Sequence, residues 1–255
     1  LSRGNGIRTG AEFLEGLRDD RDVWMHGEKV ADVTSHPGLS RGAHTLAGFM
    51  DRQFDDKYKD KVTYEEDGKT YATSYMIPKS QEDVVKRGDA FYEWATWSNG
   101  MFGRTPDYKN ASVMAFAAGA DFLKEGRPEF AENMRNYYEY IKSNDKVLTH
   151  TLVNPTFNYD QAKEGKYSDK VALQVDNETD SVIVVNGARL LATLGPHADE
   201  LEVFPSTLLK ASEENLPFAF AFTIPTNAPG VRMICRDSYD HQKSHFDAPL
   251  ASRFE

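Results

Sequence analysis

Cysteine is almost missing from this chain. Of 255 residues only Cys235 carries a thiol, so no intrachain disulfide can form and no thiolate cluster can hold structural zinc or an iron–sulfur centre. Cys235 ends the run Val231-Arg232-Met233-Ile234-Cys235, and its ordinary reading is a buried strand residue, since free cysteine is among the most buried residue types. Long hydrophobic runs are missing too. No stretch approaches the roughly 18 apolar residues of a membrane span, and no apolar signal core follows Arg3. There is no surplus of positive charge: 30 Lys and Arg face 40 Asp and Glu, a formal net charge of -10, which disfavours an extended nucleic-acid surface. No Gly-x-Gly-x-x-Gly fingerprint opens a strand–helix unit, so a Rossmann nicotinamide site is not expected. What remains is a cytoplasmic globular protein with no metal, nucleic-acid or membrane partner.

The hydrophobic content of 40% supports one large domain or two ordinary ones. Thr9 with Glu12 three residues on is a capping box for a short helix through Leu17, and residues 23–26 read as a strand turning at Gly27. Ser80 with Asp83 starts a helix on which Val84, Gly88, Phe91, Ala95 and Ser98 recur at helical spacing beside Trp94. Residues 111–123 read as a second apolar helix; Pro128 opens a third, striped by Phe130, Met134, Tyr137, Tyr138 and Ile141. After Asn144-Asp145 the pattern turns to β-rich runs at 147–153, 171–175, 182–186, 218–223 and 231–235, with 176–180 as a polar hairpin connection. The expectation is an α+β chain: a mainly helical part over 1–145, then a β part over 146–255. The two pack directly, since no low-complexity linker or internal repeat intervenes.

Several residues could carry chemistry. Arg104 precedes Thr105-Pro106 and sits with Tyr108 on a turn between helices, where a rigid scaffold commonly holds binding groups. The ordinary alternative pairs Arg104 with Asp107 or another carboxylate at the surface. His150 lies in the apolar or hydroxyl-bearing stretch 147–153, where a lone histidine is commonly structural and one imidazole is no metal site. Thr193 closes Gly187-Ala188-Arg189-Leu190-Leu191-Ala192-Thr193, and its hydroxyl can donate and accept, either to a ligand or within a turn. A guanidinium, a phenol and an imidazole together are the groups that hold an aromatic hydroxyl and favour its phenolate.

These segments resemble the oxygenase component of two-component flavin hydroxylases, the 4-hydroxyphenylacetate 3-monooxygenase family. The likeness rests on Gly103-Arg104-Thr105-Pro106-Asp107-Tyr108, Leu148-Thr149-His150-Thr151 and the segment ending at Thr193. It extends to Thr9-Gly10-Ala11-Glu12-Phe13-Leu14-Glu15, Val33-Thr34-Ser35-His36-Pro37, Ala198-Asp199-Glu200-Leu201 and Thr226-Asn227-Ala228-Pro229-Gly230-Val231. The resemblance implies an acyl-CoA-dehydrogenase-like fold, in which an N-terminal helical domain precedes a central β-barrel. A C-terminal helical bundle that builds the tetramer and covers the flavin is absent from these 255 residues. It implies FADH2 supplied by a separate NAD(P)H:flavin reductase, O2 as co-substrate, and a small phenol hydroxylated ortho to its hydroxyl through a flavin C4a-hydroperoxide.

By the same resemblance, Arg104, Tyr108 and His150 would hold and activate the phenol. Thr193, Thr151 and Asn154 would contact the flavin, and Ser206 with Thr207 the carboxylate of 4-hydroxyphenylacetate. Halophenols, nitrophenols and siderophore precursors are alternative substrates within the family. The family usually follows its His strand with Asn-Pro-Gln and a nearby Asp-Arg, and the pattern departs at Asn154-Pro155-Thr156-Phe157-Asn158-Tyr159-Asp160-Gln161, where that Gln and that Arg are missing. The cysteine count separates the chain from a flavin-containing acyl-CoA dehydratase of related fold. A rival of another class is a non-catalytic binding or assembly module, with Trp94 and Trp97 as core or interface.

Overall fold

Thr9 starts the first helix for the reason its spacing to Glu12 predicts. Its hydroxyl accepts from the Glu12 N–H at 3.2 Å while the Glu12 carboxylate accepts from the Thr9 N–H at 2.7 Å. The computed structural model describes residues 4, 6–105, 107–155, 171–179, 182–207, 209–210 and 212–237. Pro106, residues 156–161 and Asp180, all part of segments singled out above, lie outside the described residues.

Helix α1 (Gly10–Gly16) delivers Phe13 and the following Leu17 into a core built with α2 (Ser40–Arg52), which contributes Ala43, Leu46, Phe49 and Met50. The two helices close up at Gly10, where a Cβ would come within 2.5 Å of the Ala47 carbonyl oxygen. Strand β1 (Asp22–Met25) ends one residue earlier than the sequence suggests. His26 at φ 56 and Gly27 at φ 80 make the two-residue turn into β2 (Glu28–Lys29), a turn whose central residues both need positive φ. Helix α3 (Lys59–Val62) leads into a hairpin of β3 (Thr63–Glu66) and β4 (Lys69–Ala72).

Helix α4 (Gln81–Trp97) has the expected capping box at Ser80 and Asp83. Its buried face is Arg87, Ala90, Trp94 and the following Ser98, rotated from the expected stripe, and Val84 is 58% exposed. Arg87 earns that position by donating through Nη1 to the carbonyls of Thr73, Ser74 and Met76. Trp94 and Trp97 both pack edge-on against Phe49, with ring centroids 5.2 and 4.2 Å apart. The second apolar segment is not one helix over 111–123: α5 (Asp107–Ala118) starts earlier and breaks at Gly119 into a 3-10 turn, Ala120–Glu125. Helix α6 (Pro128–Ser143) carries proline in its first turn and buries Ala131, Tyr138 and Ile141, while Phe130 stays exposed.

The remaining strands are β5 (Leu148–Thr151), β6 (Gln174–Glu178), β7 (Ile183–Asn186), β8 (Glu200–Val203), β9 (Phe222–Pro225) and β10 (Arg232–Cys235). Strand β6 runs through Asp176 and Asn177, read above as connection, with a register shift between Val175 and Asn177. Strand β9 begins only at Phe222 because a 3-10 turn, Glu213–Phe218, absorbs the start of the expected run. Among the described residues the strands form sheets β10-β1-β2, β3-β4, β5-β8-β9 and β6-β7, and no closed barrel. Closure needs one unbroken ladder of hydrogen bonds, and these short strands are divided among four.

Pairing crosses residue 145, since β10 adds in parallel to β1. Its alternation leaves Ile234 84% exposed while Met233 and Cys235 pack on the N-terminal core. Cys235 is therefore half-buried rather than fully buried, and desolvation pushes its thiol up to about 11.

A polar knot joins the two parts. Arg8 forms a two-pronged ion pair with Asp199, which also accepts from the Val147 N–H at 2.7 Å, and Lys146 lies 3.6 Å away. Asp145, at φ 45, accepts from the Arg8 N–H and from Gln53 Nε2.

His197, 3% exposed, donates from Nε2 to the Leu39 carbonyl at 2.9 Å, and burial lowers its pKa to about 4. The folded-state value lies below the unfolded 6.5, so the unfolded chain takes the proton first as pH falls. Stability from this group is complete above pH 6.5 and is lost progressively down to about 4, a loss on the order of 3 kcal/mol at most. The expected result is a urea midpoint that falls between pH 7 and pH 4.5, with a visibly flatter dependence in His197→Gln. An unchanged slope in the variant would show that His197 is not the group responsible.

Candidate active site

The turn between α4 and α5 presents Arg104. Tyr108, expected on that turn, stands instead in the first turn of α5 because the helix starts at Asp107, and the register of β5 presents His150 to them. Asn99 and Gly100, at φ 53 and 69, end α4 and swing the chain back toward the sheet. Tyr108 N–H then closes on the Thr105 carbonyl at 3.0 Å. The Arg104 guanidinium carbon lies 4.5 Å from the Tyr108 ring centroid, and that ring lies 5.6 Å from the His150 ring. Arg104 donates from Nη1 to the Gly103 carbonyl at 3.1 Å, while its buried Nε has no partner among the described residues. Among the described residues no ion pair joins Arg104 to Asp107; the Arg104 guanidinium stacks on Tyr108. Asp107 is instead pushed up from the usual carboxylate range by burial.

His150 is half-buried, with Nδ1 enclosed and lacking a hydrogen-bond partner among the described residues. Desolvation first, then the charges of Lys109 and Arg104, lower its pKa to about 4. The imidazole is therefore neutral at neutral pH and keeps a lone pair to accept a proton.

The other sequence-selected residues are found in different states. Thr151 is buried and donates its hydroxyl proton to the Leu190 carbonyl at 2.6 Å. Asn154 is 3% exposed, yet neither its amide oxygen nor its amide nitrogen has a partner among the described residues. Leaving two such atoms unmet costs about 1–3 kcal/mol apiece, so a ligand that pairs with both would repay their burial. Thr193 is exposed, and its carbonyl accepts the Thr149 hydroxyl, which ties its loop to β5. Leu191 and Leu194 flank it at φ 65, a left-handed conformation rare for leucine and typical of loops held for a purpose. Ser206 is buried just past β8, and Thr207 is exposed. This donor set of buried amide, exposed hydroxyl and strained loop suits a planar, hydrogen-bonding cofactor such as flavin.

Sequence reading missed Lys109, Glu202 and Phe204. Lys109 Nζ meets Glu202 Oε2 at 2.6 Å with the two side chains 7% and 2% exposed, and it lies 4.8 Å from the Phe204 ring centroid. Lys109 directly follows Tyr108, which was the available clue; Glu202 alternates with Leu201 in a pattern that reads as a solvent face. Two surface grooves, of about 470 Å³ beside Asp60, Lys86 and Asp89 and about 400 Å³ beside Glu66, Tyr71 and Lys142, lie away from the triad.

The 4-hydroxyphenylacetate 3-monooxygenase oxygenase component of Thermus thermophilus is 45% identical over 249 residues, covering 97% of this chain and 50% of that protein. The crystal structure of an oxygenase component of 4-hydroxyphenylacetate 3-monooxygenase complexed with FAD and 4-hydroxyphenylacetate superposes with a TM-score of 0.87 at 44% identity. It covers 98% of this chain and 51% of that one. An archaeal 4-hydroxybutyryl-CoA dehydratase from N. maritimus superposes with a TM-score of 0.80 at 17% identity, over 97% of this chain and 50% of its own, and shares the fold. The chain spans about half the length of the curated relatives it matches. A family model described as 4-hydroxyphenylacetate 3-hydroxylase N terminal matches residues 9–255, and the chain belongs to that family.

Proposed function

We propose that this chain is part of the oxygenase component of a reduced-flavin-dependent monooxygenase that hydroxylates a phenol ortho to its hydroxyl, with 4-hydroxyphenylacetate as the substrate and 3,4-dihydroxyphenylacetate as the product. Reduced FAD, delivered by a separate NAD(P)H:flavin reductase, supplies the reaction with dioxygen and hence the oxygen atom transferred. Asn154, Thr193 and Thr151 are the residues that would hold it, the first two through groups left available and Thr151 through its remaining lone pair.

The observation that carries this reading is the convergence of Arg104, Tyr108 and a neutral His150. Arg104 remains cationic and attracts a phenolate; Tyr108 donates to the same oxygen; His150 accepts the phenol proton, which raises electron density on the ring. Ser206 and Thr207 would take the acid end of the substrate. In this reading residues 1–145 and 146–255 are the helical and β parts, and the assembled enzyme is a tetramer.

The test uses the protein at the full length of its relatives. Reduced FAD is titrated anaerobically, then oxygen and 4-hydroxyphenylacetate are added. The expected result is flavin binding followed by oxygen-dependent catechol formation. Bound flavin that consumes oxygen and releases only hydrogen peroxide in the presence of the phenol would overturn the assignment.

A further inference from the structure

Lys109 and Glu202 form a buried ion pair that the proposed reaction does not yet use. Glu202 is the register partner of His150 in the parallel β5–β8 ladder, so both side chains leave the same face of the sheet. Lys109 reaches that face from α5, one residue beyond Tyr108, with its ammonium 4.8 Å from the Phe204 ring centroid and 5.8 Å from that of Tyr108. The charged and titratable groups gathered here are Arg104, Tyr108 and Lys109 from the α5 region, His150 from β5, Glu202 from β8 and Tyr137 from α6. Arg104 and Lys109 bring two cations, while Glu202 brings the anion.

We propose that Lys109 is a positioning residue of the phenol site, whose ammonium, fixed by Glu202 and Phe204, sets the ionisation of the bound phenol from behind Tyr108 and His150. A fixed cation beside the site stabilises phenolate over phenol; Glu202 limits that field by offsetting it. Two further observations agree. The Lys109 charge acts to keep His150 unprotonated, and burial pushes the Glu202 carboxyl up to about 7 against the pull of Lys109, so Glu202 offsets the ammonium fully only above that pH. This proposal rests on the phenol-hydroxylase reading.

The test is the pH at which a bound chromophoric phenol, 4-nitrophenol, ionises, read from its phenolate absorbance in the full-length protein. Lys109→Met should raise the midpoint by about one pH unit or more, because an opposite charge near an acid typically lowers its pKa by about 1–3 units. Glu202→Gln should lower it, since the ammonium is then uncompensated, and Lys109→Arg should restore the parental value. Opposite signs in the two variants are what a merely structural pair would not produce. Midpoints equal to the parent in both variants would overturn the role of Lys109 and leave the phenol-site reading standing. Failure of the parent protein to bind both 4-nitrophenol and 4-hydroxyphenylacetate would overturn both. Should Lys109→Met not fold, Glu202→Gln and Lys109→Arg decide the question by the same readout.

Discussion

His150→Ala is expected to lower phenol hydroxylation by about 100- to 10,000-fold, the usual cost of losing a well-placed acid–base group. The argument is one of protonation as well as place. At about 4, His150 is unprotonated across the working range but is a weak base, so it takes the phenol proton with the help of Arg104, whose charge stabilises the phenolate left behind. Two consequences separate a base from a packing residue. The acid limb of kcat should not break near pH 6.5 on account of this group. His150→Gln, which keeps a hydrogen bond but cannot take the proton, should recover binding of the phenol far better than turnover. Full turnover in His150→Ala would remove the residue from the mechanism.

Asp199→Ala is expected to cost the largest share of stability of any single change considered, about 3–5 kcal/mol. The carboxylate is 6% exposed, and Arg8 holds it below its ordinary range against the opposing effect of burial. Removing it leaves the Arg8 guanidinium, 13% exposed, without its two-pronged partner and strips the Val147 N–H of its acceptor. Asp145 is too committed to Gln53 and the Arg8 backbone to take over. Asp199→Asn, which still accepts from Val147, should fall between the parent and the alanine variant in urea unfolding. A loss under 1 kcal/mol in Asp199→Ala would show that the knot is dispensable.

Side-chain signals that act over three or four residues were legible in the sequence: the capping boxes at Thr9 and Ser80 and the proline opening α6 all start helices where expected. Helix α2 was invisible because Leu39 caps it with no side-chain hydrogen bond. The face of α4 was misjudged because a buried arginine, satisfied by three carbonyls, sits where hydrophobic patterning expects an apolar residue. At the site, Arg104, Tyr108 and His150 were named from motifs, and the fold brings them together across 46 positions of sequence between the first and the last. Lys109 and Glu202 could not be paired in advance. Nothing local marks a lysine and a glutamate on different elements as buried partners; the packing of α5 over the β5–β8 ladder does.

The parallel pairing of β10 with β1 sets a condition on how the chain comes into being. Asp22 meets Arg232 across 210 positions, so during synthesis at roughly 5–20 residues per second the outer edge of β1 waits on the order of 10–40 s for its partner to be made. Throughout that interval the nascent protein carries an open strand edge and an apolar layer lacking Met233 and Cys235. Until β10 arrives, that edge is open to mispairing with other strands, so the parallel pairing closes the N-terminal sheet last.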